Sequence, residues 1–142
     1  MKSLLNLIHM QSSITPAWLK RILFVDAAAT GGLGLALLTA AEWLSGLFGI
    51  QAALLQVAGV VLVPFAALLT WAALQHAPSR RLLLALIVGN ALWVIDSVLL
   101  LFTPWVSPNS LGLTFVLGQA VAVAVLTGGE FVGARRAGLL TA

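Results

Sequence analysis

The sequence predicts an all-α integral membrane protein: a four-helix transmembrane bundle with both termini on one side. Three observations carry this. Of 142 residues, 61% are hydrophobic and only 8% are charged, whereas soluble domains carry about 25% charged residues. A water-soluble fold of this length has no interior large enough to hide so much apolar side chain, but lipid can solvate it. Four apolar stretches, about 22–41, 52–74, 82–102 and 111–132, each reach the length of a transmembrane helix. At about 1.5 Å per helical residue, some twenty residues cross the roughly 30 Å hydrocarbon core. Finally, all seven basic residues, Lys2, Lys20, Arg21, Arg80, Arg81, Arg135 and Arg136, fall on one side of a four-span threading.

That asymmetry predicts orientation. Positive charge marks the cytoplasmic side, so both termini are expected there, in a cell membrane of the bacterial inner-membrane kind. The tryptophans agree, with Trp18 and Trp71 at the inner interface and Trp43 and Trp105 at the outer one, as aromatic belts require. Only Trp93 falls deep within a span.

Composition also excludes function classes. The net charge of +3 sits on short basic pairs, a poor track for a phosphate backbone, so nucleic acid is not an expected partner. The absence of cysteine rules out disulfides, thiolate metal sites and cysteine nucleophiles. His9 and His76 both lie near the basic side, which disfavours a bis-histidine haem within the bundle. No HExxH, P-loop or GxSxG pattern occurs. No cofactor or metal is therefore expected, and nothing in the residues argues for an enzyme. The expected partners are the bilayer, further copies of the chain or other membrane subunits.

Taken in order, the chain reads as one membrane domain, 1–142, without a cleavable signal peptide. Residues 1–18 suit a short segment in the membrane interface, with Leu4, Leu5, Leu7 and Ile8 to one side. Thr15 and Pro16 read as N-cap and first residue of a helix. In span one Ala28, Gly32, Ala36 and Ala40 recur every four residues. Such a row lets a second helix approach closely, so it is the expected packing face. A loop is expected at 42–51. Pro64 removes a backbone donor in the middle of span two and predicts a kink there. The two hairpins also echo each other: a basic pair precedes each, the tetrads at Trp43 and Trp105 are WLSG and WVSP, and Gln56 and Gln119 follow at comparable distances.

Polar groups inside spans are costly, about 2.5–3.5 kcal/mol for an ionised side chain at a helix centre, so each needs a reason. Asp26 lies one turn past Arg21; an ion pair with a basic residue, or a polar contact shared with Thr30, accounts for it. Asp96 lies in the half of span three farther from the basic side, where an ionised carboxylate has no counter-charge. It is expected to hydrogen-bond another helix or to face a water-filled path. Asn90, Trp93 and Ser97 share a helix face with Asp96 at its edge, and Gln119 reaches a matching depth in span four, where its amide could meet that of Asn90. Glu130 is expected in a surface ion pair with Arg135 and Arg136, and Glu42 in solvent. Two functions follow as expectations: a helix-packing accessory or self-associating subunit of a membrane complex, or a small proton-coupled transporter or channel in which Asp96 titrates.

Overall fold

In a computed structural model, residues 1–6 and 15–141 are described. The protein is all-helical, 80% of it helix, with no strand among the described residues. From residue 15 on, the described residues form five helices in order: α1 (Ala17–Thr39), α2 (Ala41–Phe48), α3 (Ala52–Leu74), α4 (Arg80–Leu100) and α5 (Ser110–Arg136). All but α2 are long and apolar enough to cross a membrane. Residues 2–6 are helical, and the rest of the expected interfacial segment up to residue 14 lies outside the described residues.

The four long helices stand in the cyclic order α1, α3, α4, α5, with α1 and α4 diagonal. The α1–α3 and α4–α5 pairs pack most extensively, while α3 touches α4 only lightly. The starts of α1 and α4 meet the ends of α3 and α5, and this basic end is laced by backbone groups. Thr15 donates its N–H (2.8 Å) and Oγ1 (2.9 Å) to the carbonyl of His76, and Arg80 donates to the carbonyl of Leu140. Thr15 is thus not the cap of α1. Pro16 holds that position without a side-chain bond, and Thr15 instead ties α1 to the α3–α4 connection.

The opposite end departs from the expected loop. Residues 41–48 form α2, because after the break at Ala40 the run AEWLSGLF offers an apolar face, and Gly49 ends it in the left-handed conformation. Phe48 of α2 stacks on Phe115 of α5, with ring centroids 4.4 Å apart. Asn109 caps α5 by accepting from the N–H of Gly112 (2.8 Å) and donates its amide to the carbonyl of Leu47. The hairpin echo therefore does not extend to structure: WLSG is helical, WVSP is not, Gln56 is exposed and Gln119 points inward.

Two apolar clusters close the bundle. Leu19, Leu23, Leu69, Leu83 and Leu86 fill the basic end, and Leu37, Phe48, Leu55, Leu62 and Val116 fill the other. Within the second cluster α1 and α3 come close through Gly34 and Gly59, where a Cβ on Gly59 would lie 2.8 Å from the carbonyl oxygen of Gly34. The expected row does not make this contact. Ala28, Gly32 and Ala36 are exposed and Ala40 is half-buried, while Ala27, Thr30, Gly34 and Leu37 are buried. The inward row of Asp26, Thr30 and Gly34 lies two residues from the expected one, about 160° of helix rotation at 3.6 residues per turn and so nearly the opposite face, because Asp26 and Thr30 face the interior and carry their neighbours with them. Pro64 lies within α3, exposed, and the helix runs through it.

A methyl group at Gly59 should force α1 from α3. Gly59→Ala is expected to cost about 1–3 kcal/mol, the usual range for overpacking. Gly32→Ala, with open space around it, should change stability by less than about 0.5 kcal/mol. Thermal unfolding of both variants in one detergent checks the pair; equal destabilisation would refute the close-approach reading.

Candidate functional site

Three helices each send one polar side chain to the bundle axis. Asp26 stands nine residues into α1 and Asn90 ten into α4, while Glu130 stands six before the end of α5. At about 1.5 Å per residue these are depths of about 14, 15 and 9 Å from the same, basic end. All three are buried, Asp26 at 0%, Asn90 at 3% and Glu130 at 1% exposure. Asn90 donates its amide nitrogen to Asp26 Oδ2 at 2.6 Å and, in a longer contact of 3.4 Å, to Glu130 Oε2. The Thr30 hydroxyl, one turn along α1, donates to Asp26 Oδ1 at 3.0 Å. Glu130 Oε1 is buried with no hydrogen-bond partner.

The electrostatics follow from what surrounds this cluster. Two carboxyl groups share one amide nitrogen, and no cation joins them: among the described residues there is no ion pair, and the basic side chains stay at the helix ends. From α3 the residues lining the adjoining cavity, Val61, Leu62 and Phe65, are all apolar. Two ionised carboxylates this close in a low-dielectric interior repel strongly. The cluster thus joins α1, α4 and α5 through one shared amide, with no positive side chain among the described residues beside it.

On the side facing away from the basic end, Asp26 and Asn90 border a cavity of about 340 Å³, whose wall includes Leu33, Phe65, Gly89, Trp93, Phe115 and Gln119. A second volume of about 340 Å³ adjoins it and reaches Asp96, Ser97 and Leu100 on α4 and Val57 and Val61 on α3. Leu33, Val61, Trp93, Phe115 and Gln119 line both. At this junction Trp93 Nε1 donates to Gln119 Oε1 at 2.8 Å, and Gln119 Nε2 donates to the carbonyl of Val116 at 3.0 Å. Val57, Val61 and Asp96 are exposed, so the outer volume opens sideways between the loosely packed α3 and α4. Towards the basic end the cluster is sealed by Leu19, Leu23, Leu69, Leu83 and Leu86, each at most 2% exposed.

The site therefore unites Asp26, Asn90, Trp93 and Gln119, but not in the pairs expected. Asn90 bonds the two acids instead of Gln119, whose oxygen accepts from Trp93. Asp26 takes an amide and a hydroxyl, and no basic residue. Ser97 donates to the carbonyl of Trp93 in its own helix at 2.6 Å. Among the described residues nothing donates to Asp96, which sits about four residues from the end of α4, at the mouth. Glu130 is the residue that sequence reasoning misplaced. Its helix runs on to Arg136, and a turn carries Arg135 and Arg136 outward, exposed, while Glu130 faces Asn90. The signal for this was the small residues beside it: Gly133 packs so tightly on α1 that a Cβ there would meet Trp18 at 2.8 Å. The α5 face carrying Gly133 and Glu130, three residues apart, is thereby pressed against α1.

The fold and site define a four-span membrane bundle with an internal acidic junction beside a cavity. Comparison with known proteins adds no relative: no family model, curated protein or solved structure matches the chain.

Replacing Asn90 should cost more than replacing any other polar group here. Asn90→Leu strips the donor from a buried carboxylate, a loss of about 1–3 kcal/mol or more. Trp93→Phe forfeits one inter-helix bond, typically worth about 0.6 kcal/mol in membranes. Parallel unfolding titrations rank the two; Trp93→Phe proving the costlier would contradict the cluster's role as the main junction.

Proposed function

We propose that the protein is a small proton-coupled transporter whose coupling site is the Asp26–Asn90–Glu130 cluster. The carrying observation is the burial of two carboxyl groups from different helices on one amide nitrogen, without a basic partner. A purely structural junction is served more cheaply by neutral amides and hydroxyls, because buried acids add a desolvation penalty. Acids kept inside a bilayer characteristically serve proton relays and ion paths. The pair holds one proton. Asp26, bordering the cavity, is the member that meets cargo, and Glu130, one helix further back, shares with it the proton that is exchanged. The leucine layer at the basic end closes the site on that side, and the cavity opens it on the other. Asp96, expected to be the titrating group, is on this reading a guide at the mouth.

The orientation belongs to the same proposal. The six basic residues gathered at the ends of α1, α4 and α5 support reading that end as cytoplasmic, in a bacterial inner membrane, with the cavity mouth towards the outer leaflet. A second reading, a self-associating or accessory subunit, draws on the exposed Ala28, Gly32 and Ala36 row of α1, which suits close contact with another helix. Native mass spectrometry from gently extracted membranes separates a lone or self-paired chain from one held in a fixed hetero-complex.

The proton reading is tested by a pH jump applied to proteoliposomes adsorbed on a solid-supported membrane. The wild-type protein should give a transient charge displacement as the cluster takes up or loses its proton. Asp26→Asn with Glu130→Gln should abolish it, while Asp96→Asn retains it. An unchanged transient in the double variant, or none in the wild type, would sink the proposal.

A further inference from the structure

We infer that the two adjoining cavities form one binding site for a monovalent organic cation with an apolar or aromatic body, entering sideways between α3 and α4. The inference rests on the cluster being the coupling site and adds to it the chemistry of the cargo.

Sign of charge comes first. Among the described residues, the ionisable groups along the cavity and its backing are acids: Asp26 at the inner end, Glu130 behind it and Asp96 at the mouth. The basic side chains are held at the helix ends, beyond the leucine layer. Low-dielectric walls focus a field of one sign, so the site attracts a cation and rejects an anion. Glu130 Oε1, buried without a partner, leaves the cluster one positive or donor group short of satisfaction.

The wall selects the body of the ligand. Besides Asp26, Asn90, Thr30 and Gln119, the inner volume is apolar and aromatic, with Phe65, Trp93 and Phe115 around it. Tryptophan is the strongest side-chain partner for a quaternary ammonium group, and here its indole is tethered by Gln119. A strongly hydrated inorganic ion would lose its water to few oxygen ligands, whereas a weakly hydrated organic cation exchanges water for ring faces. The combined space, two volumes of about 340 Å³, lies within the range of small-ligand sites, about 300–1,000 Å³. The route follows from the mouth, where exposed Val57 and Val61 face the hydrocarbon and Asp96 lies nearer the membrane surface. A cation adsorbed in the interface meets Asp96 first and then moves inward past Trp93 to Asp26. Charge balances by exchange: the cation arrives at Asp26 as the proton shared with Glu130 leaves, and no bond other than O–H is broken.

Calorimetric titration of the protein in zwitterionic-lipid nanodiscs tests this with three probes of similar shape: phenyltrimethylammonium, its neutral isostere tert-butylbenzene, and benzenesulfonate. Phenyltrimethylammonium should bind saturably and release about one proton, read from the dependence of the heat on buffer ionisation. The other two should not bind saturably. Asp26→Asn should weaken cation binding by about tenfold or more, the effect of about 1.4 kcal/mol, and Asp96→Asn by a few-fold. Equal binding of tert-butylbenzene, or no saturable cation binding while a pH jump still moves charge, overturns the cation assignment and leaves the proton reading standing. Cation binding with no proton release overturns the exchange. Should Asp26→Asn fail to fold, the three probes on the wild-type protein decide alone.

Discussion

The amide of Asn90, reaching across the bundle axis to Asp26 and towards Glu130, is the interaction on which the rest of the arrangement depends. Helix α4 has little else to hold it opposite α1. It stands diagonal to α1 and touches α3 lightly. In lipid no hydrophobic force draws one helix to another, so a polar group that finds its only partners across the axis acts as a directional tie. Three helices are drawn to one point at similar depth, and a single rotational setting of each satisfies it. Those settings carry consequences along the helices: Thr30 comes to face Asp26, Gly34 comes to face α3, and Ala28, Gly32 and Ala36 turn outward.

Side-chain size completes the shape. At the basic end large leucines from α1, α3 and α4 converge and exclude space. At the far end Phe48 and Phe115 stack, and the backbone of α2 lies against Gly112, where even a methyl group would collide with the carbonyl of Phe48. Between these two plugs the lining includes alanine and glycine, Ala29 and Gly89 among them, which leave space unfilled. The cavity is thus the remainder between two well-packed ends. Its one fixed internal partition, the Trp93–Gln119 bond, sits where the inner and outer volumes meet.

An acidic junction beside such a cavity couples two properties that lipid normally keeps apart. The charge balance of the cluster bears on how firmly α1, α4 and α5 are tied, and the same cluster borders the space a ligand would enter. On the proposed reading, a change of charge at Asp26 and Glu130 bears on helix packing directly, without a separate relay. That economy of parts suits a chain whose connections are too short to form a soluble site.

The four spans, their lengths and the gathering of basic residues at one end are legible in the sequence, because they depend on local hydropathy and on the 1.5 Å rise of a helix. Asp26, Asn90, Trp93 and Gln119 are also marked there, since polar groups within apolar runs stand out by themselves. Their partners are not legible. In span one small residues occur on opposite faces of the helix, and the tie to α4 decides that Gly34 faces inward and Gly32 outward. In the last span Glu130 stands near two arginines along the chain, yet spacings of five and six residues place them on different helix faces, and the close packing of Gly133 on Trp18 puts the acid inside. Local composition determines what crosses the membrane. Which polar group meets which is set by helix rotation and pairing, and these exist only once all four helices are together.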